Sequence, residues 1–133
     1  METPHIIQLP LIPDERGNLS FFEFPAQIPF AIKRTYWIHD IPGGENKGHA
    51  FWNQNEFIVA LSGSFEILVN NGATESIFSL NRPNIGVFVP KKHWRKVQNI
   101  STNAVVLAVS DATFDANDYL RDFEKFQKEI RHV

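Results

Sequence analysis

The side chains able to move protons or grip anions lie mostly in the middle of the chain. A histidine, with an ordinary pKa of about 6.5, can take and return a proton near neutral pH, which makes His49 the candidate base. A histidine in a small domain is more often structural than catalytic, so this role rests on the motif described below. Tyr36 offers a phenol that could donate to a developing oxyanion, or simply a half-buried ring on a strand. Arg16, next to Gly17, presents a guanidinium fork that matches phosphate oxygens, or a solvated loop arginine. Arg34 alternates with Tyr36, so on a strand the two face one side, where a buried cation needs an anion such as a phosphate or Glu56. Arg95 either binds an anion or pairs with a glutamate.

Short strands must carry these residues. Apolar segments rich in β-branched and aromatic residues recur between turn residues, at the spacing of an all-β sandwich or barrel. The candidate strands are Leu19 to Phe24, Ile32 to Ile38, Glu56 to Leu61, Ser64 to Val69, Glu75 to Ser79, Ile85 to Val89 and Ala104 to Val109. Between the fourth and fifth lies Asn70-Asn71-Gly72, whose residue types supply the positive φ of a tight hairpin. The pattern changes near the end. Tyr119, Phe123, Phe126 and Ile130 share one helical face, with Asp115 as N-cap, Asp118 in the first turn, and Lys128, Arg131 and His132 at the end that favours cations. This aromatic stripe reads as packing material.

The 133 residues suit one domain, 1–133, with ample apolar material for a core and no sign of disorder. A net charge of -2 with both signs interspersed gives no broad attraction to nucleic acid or an anionic membrane. The cluster of Lys91, Lys92, Arg95 and Lys96 suits one small anion better than a duplex. The absence of cysteine excludes disulfides and thiol chemistry. Neither a signal peptide nor a membrane span is expected from the sequence, which makes the cytoplasm the expected location.

Two spaced motifs resemble those of cupin barrels. In the first, His49, Ala50 and Phe51 are followed at the cupin offsets by Glu56 and Gly63; in the second, Pro90 leads to Arg95 and Asn99. Phe51 and Arg95 occupy two positions where metal-binding cupins carry histidine. A phenyl ring cannot coordinate, and a permanently charged guanidinium repels a divalent ion. His93 lies two residues from the ligand position. No bound metal and no cofactor are expected.

Read with their neighbours, the motifs are similar to those of the WxcM-like cupins, the dTDP-sugar 3,4-ketoisomerases. The resemblance runs through Arg16-Gly17-Asn18-Leu19, Ile28 to Tyr36, Gly48-His49-Ala50, Ala60 to Ser64, Trp94, and Phe114 to Arg121. It implies an all-β double-stranded β-helix, or jelly-roll barrel, with one C-terminal helix. It also implies a homodimer built partly through the N-terminal strand and a metal-free pocket for a dTDP-linked 4-keto-6-deoxyhexose, serving deoxysugar and lipopolysaccharide biosynthesis. The implied reaction moves the keto group from C4 to C3. Such a reaction needs a base for the proton α to the carbonyl, a donor to the enediol oxygen and an acid to return the proton. His49 and Tyr36 are the implied catalytic pair; Arg16, Gly17, Arg34, Phe51, Glu56 and Arg95 are the implied substrate contacts. The departure is Phe51, where the family carries a second histidine that relays a proton. Either His49 and Tyr36 suffice, or the isomerisation differs, or the protein binds a nucleotide sugar without turning it over. A third class, an interaction module with its pocket filled by aromatics, leaves the Arg16 motif unexplained.

Overall fold

Strand residues alternate between two faces, and the central strands show why this chain forms layers. In β7 (Phe65–Asn70), Phe65, Ile67 and Val69 are buried while Glu66, Leu68 and Asn70 are partly exposed. In β6 (Glu56–Ser62), five successive residues are buried, because both faces of this strand are covered. The computed structural model describes residues 2–42 and 47–132.

One antiparallel sheet has the order β1-β9-β6-β11-β4. It combines β6 with β1 (His5–Gln8), β4 (Arg34–Ile38), β9 (Ile85–Val89) and β11 (Val105–Ser110). The second sheet has the order β12-β5-β10-β7-β8. Its further strands are β5 (His49–Phe51), β8 (Glu75–Leu80), β10 (Trp94–Gln98) and β12 (Tyr119–Leu120). β2 (Leu11–Asp14) and β3 (Gly17–Ser20) form a separate hairpin. The inward residues of the two sheets share one apolar core, including Ile58, Ala60, Phe65, Ile67, Val87, Val89, Val106 and Ala108. This is the jelly-roll arrangement of a cupin barrel. On the outside of the first sheet, Leu9, Ile28 and Phe30 cover Phe57, Val59, Phe88 and Val109. Their burial explains the unbroken apolar run of β6.

The hairpin at Asn70-Asn71-Gly72 joins β7 to β8. Asn70 pairs with Glu75, and the Asn71 amide donates to the Thr74 carbonyl at 3.2 Å. Gly72 has φ +99°, a conformation that favours glycine. Gly63, at φ +68°, turns the chain between β6 and β7; a Cβ at this position would lie 2.5 Å from Ser101 Oγ, so a side chain there meets both strain and a clash.

Several sequence expectations shift. The segment Leu19 to Phe24 pairs only as far as Ser20, because its partner is the short strand β2 and not a sheet. Strands β1, β2, β5, β10 and β12 lie outside the expected set; they are short or carry charged residues among apolar ones. The largest correction concerns the C-terminal helix. Asp115 caps only a 3-10 turn, Ala116–Asp118, accepting from the Asn117 amide. Asp122 caps the helix itself, α1 (Phe123–Ile130), accepting from the Lys125 amide. Tyr119 therefore leaves the helical stripe and pairs with Phe51 across β12 and β5. The competing force is Asp118, whose buried carboxylate accepts from the amides of Trp52 and Asn53 and from the Gln54 side chain. That anchor pulls the segment onto β5 before the helix begins.

Candidate active site

Five strands deliver the polar residues to one end of the barrel. β10 turns Arg95 inward and Trp94 outward; β5 turns His49 and Phe51 inward and Ala50 outward. A cavity of about 230 Å³ opens there, lined among others by Tyr36, Lys47, His49, Arg95, Tyr119 and Arg121. Gly48 precedes His49 with its α-carbon packed on the outward Trp94; a Cβ there would lie 2.6 Å from the indole nitrogen.

Glu56 is the centre of the polar wall. Fully buried, it accepts from Arg95 Nη1 through Oε1 at 2.7 Å and from the Tyr36 hydroxyl through Oε2 at 2.5 Å. Arg34 Nη2 lies 3.9 Å from Glu56 Oε2 and donates to Gln54 Oε1 at 3.3 Å and to the Tyr119 hydroxyl at 3.1 Å. Arg95 also donates to the carbonyls of His93 and Pro90 and stands over the Phe51 ring at 4.9 Å. Of the two readings open for Arg95, the glutamate pair is the one formed. The Tyr36 phenol is held protonated, its pKa raised by burial first and by the Glu56 charge second.

His49 contacts Phe51 edge to face at 4.8 Å and Tyr119 at 5.3 Å between ring centroids. Its buried Nε2 has no hydrogen-bond partner among the described residues. Burial, followed by the charges of Arg95, Arg121 and Arg34, lowers its pKa to about 3. The imidazole is therefore neutral at physiological pH, with the Nε2 position unpartnered. Around it stand four cations, Arg34, Arg95, Arg121 and Lys47, against one carboxylate, Glu56. Such a cavity favours an anionic ligand.

His49, Tyr36, Arg34, Phe51, Glu56 and Arg95 are thus brought together. Arg16 and Gly17 are not: they lie on the β2–β3 hairpin, where Arg16 is exposed and paired with Asp14 at 3.1 Å. The basic cluster is divided: Lys91 is exposed in the turn before β10, and Arg95 is buried on the strand. His93 turns elsewhere; its Nδ1 lies 3.0 Å from the Lys91 carbonyl. Among the described residues, no three His, Cys, Asp or Glu side chains gather as a metal site. Trp37 is 60% exposed, and Trp52 stacks on Phe126, so neither encloses His49. Tyr119 and Arg121 line the cavity too, which the helical reading concealed; their signal was the nearby Asp118 carboxylate.

The match to known proteins covers nearly the whole chain. Residues 2–131 match the family described as FdtA: WxcM-like, C-terminal. A TDP-4-oxo-6-deoxy-alpha-D-glucose-3,4-oxoisomerase of Aneurinibacillus thermoaerophilus is 31% identical over 96% of this chain and 93% of its own length. A 3,4-ketoisomerase from Helicobacter canadensis superposes with a TM-score of 0.92 and 34% identity, covering 96% of this chain and 97% of that one. A double variant of the 3,4-ketoisomerase QdtA from Thermoanaerobacterium thermosaccharolyticum, in complex with TDP, gives a TM-score of 0.92 at 26% identity, covering 99% and 96%. Sequence motifs, barrel and cavity agree with these matches, and the chain belongs to the WxcM-like family.

Proposed function

We propose that the protein is a nucleotide-sugar isomerase that moves the keto group of a dTDP-4-keto-6-deoxyhexose from C4 to C3. The observation that carries this reading is His49: a neutral, unpartnered imidazole facing a cation-walled cavity in a WxcM-like barrel. The proton on C3 is acidified by the C4 carbonyl, and His49 removes it to give an enediol. Loss of the O3 proton and reprotonation at C4 then complete a reaction with no net oxidation. Arg34, Arg121 and Lys47 supply positive potential for the substrate anion and for charge developing on the sugar oxygens. Tyr36 and Arg95 line the cavity and are joined through the buried Glu56, and Phe51 lies under the Arg95 guanidinium.

The reading extends to a homodimer acting in cytoplasmic deoxysugar biosynthesis. Leu11, Ile12 and Leu19 on the β2–β3 hairpin are 44%, 49% and 58% exposed; pairing of N-terminal segments between two copies would cover them. Arg16 and Gly17 are then assigned to a nucleotide diphosphate held by the partner's barrel, beyond the reach of their own. Light scattering of the wild type and of Leu19→Asp tests this assembly, with a monomeric wild type overturning it.

Activity is tested by proton NMR of dTDP-4-keto-6-deoxyglucose in deuterated buffer. The expected result is 3-keto product, with deuterium at C3 of the recovered substrate and at C4 of the product, all lost in His49→Ala. Phe51 favours one other reading, a silent nucleotide-sugar binder; line broadening of an otherwise unchanged substrate spectrum would establish that reading instead.

A further inference from the structure

The cavity contains two phenols, and they differ in what their protons are doing. Tyr36 has already given its hydrogen bond to Glu56 Oε2. Tyr119 is in the opposite situation: its oxygen accepts from Arg34 Nη2 at 3.1 Å, and its own proton has no protein acceptor among the described residues. The Tyr119 ring lies 5.3 Å from His49 and 4.6 Å, edge to face, from Phe51. It lines the same cavity as His49. Arg121 stacks on its ring at 4.8 Å, and the Arg34 guanidinium lies 5.9 Å from the ring centroid.

We propose that Tyr119 is the second proton-carrying catalytic residue, passing a proton between the two sugar oxygens while His49 passes one between the two carbons. This inference rests on the isomerase reading above. In the first half-reaction His49 Nε2 takes the C3 proton, the C3–H electron pair forms the C3=C4 bond, and the C4 carbonyl oxygen takes the Tyr119 proton. The phenolate oxygen keeps the Arg34 Nη2 hydrogen bond, and the Arg121 guanidinium stands over the ring at 4.8 Å. In the second half-reaction the phenolate takes the O3 proton, the C3 carbonyl forms, and the imidazolium returns its proton to C4. Tyr119 and His49 end as they began. No second histidine is needed, which accounts for phenylalanine at position 51.

The test is steady-state kinetics of Tyr119→Phe, a change that keeps the ring against His49, Phe51 and Arg121. The expected result is a kcat lowered about a hundredfold or more, the scale of a lost general acid, with KM changed little. A second measurement uses the fact that the chain has two tyrosines. In the wild type carrying 3-fluorotyrosine, whose phenol is more acidic, Tyr36 stays protonated against Glu56, so the alkaline limb of the kcat profile should move to lower pH through Tyr119. Retention of kcat within about threefold in Tyr119→Phe, well below a lost general acid, overturns the proposal, as does an alkaline limb that fluorination leaves in place. A wild type that produces no 3-keto sugar and no C3 exchange overturns the isomerase reading itself, whereas an active wild type with an equally active Tyr119→Phe overturns only the role of Tyr119.

Discussion

Strands β5 and β10 each present two opposed environments. Their outward residues, Ala50 and Trp94, pack with Phe126 of α1, where aromatic rings meet at 5 to 6 Å. Their inward residues, His49 and Arg95, line a cavity beside which the Arg95 guanidinium and the Glu56 carboxylate are both almost fully buried. Apolar burial needs only contact area, but a buried charge needs a partner of the right geometry. The outer face is thus built for stability, while the inner face accepts the desolvation of Glu56, Arg95 and His49 and keeps a space for ligand. The difference between the two faces is what separates a scaffold from a site on the same strands.

The sharpest way to break this comparison is His49→Ala. It should lower kcat by about 10² to 10⁴-fold, the range for a lost general base, while the protein at neutral pH remains folded by circular dichroism. A variant with near wild-type turnover would make the inner face structural too. Glu56→Ala strands Arg95 beside Arg34 without a carboxylate and should cost about 3–5 kcal/mol in urea unfolding, with activity also lost. Phe126→Ala should cost a similar amount, about 3–5 kcal/mol, by opening a cavity under α1. Here turnover per folded molecule should stay at the wild-type value; a raised KM would show that the outer face shapes the site.

Smaller changes sharpen the contrast. Phe51→His puts an imidazole into a fully buried slot beside Arg95. It should cost about 1–3 kcal/mol in unfolding free energy, the range for a buried polar group without a partner, and should raise kcat little if Tyr119 already carries the second proton. A large gain in kcat would mean that the family's histidine relay is missing here and not replaced. The pH dependence is gentler still. His49 has its pKa lowered in the folded state to about 3, so the unfolded chain binds its proton first as pH falls below about 6.5. Stability from this group is complete above that value and is lost on acidification, by up to about 1.4 kcal/mol per pH unit down to the folded pKa. His93 is shifted in the same direction, mainly by burial. Melting temperatures from pH 8 to 4 should fall less steeply in His49→Ala than in the wild type; parallel curves would show that His49 is not buried as a neutral ring.

The parts of this protein legible in the sequence are those set by local spacing. The motif offsets placed His49 and Glu56, strand alternation put Arg34 on the side of Tyr36, and the Asn-Asn-Gly run marked its hairpin, because each depends on residues near one another in the chain. The rest came from contacts between distant segments. Tyr119 fits a helical stripe as well as a strand, and only the buried Asp118 carboxylate, gripping amides 64 to 66 positions earlier, decides between them. The partner of Arg95 was likewise open, since a guanidinium fits a phosphate or a carboxylate. Folding decided it by bringing Glu56 within 2.7 Å from 39 residues away. The sequence by itself determined which chemistry was available and which residues share a face on the strands it marked, such as Arg34 and Tyr36 on β4. Only the tertiary structure decided which phenol keeps a free proton, because that depends on which buried acceptor lies within hydrogen-bond reach once the sheets have closed on one another.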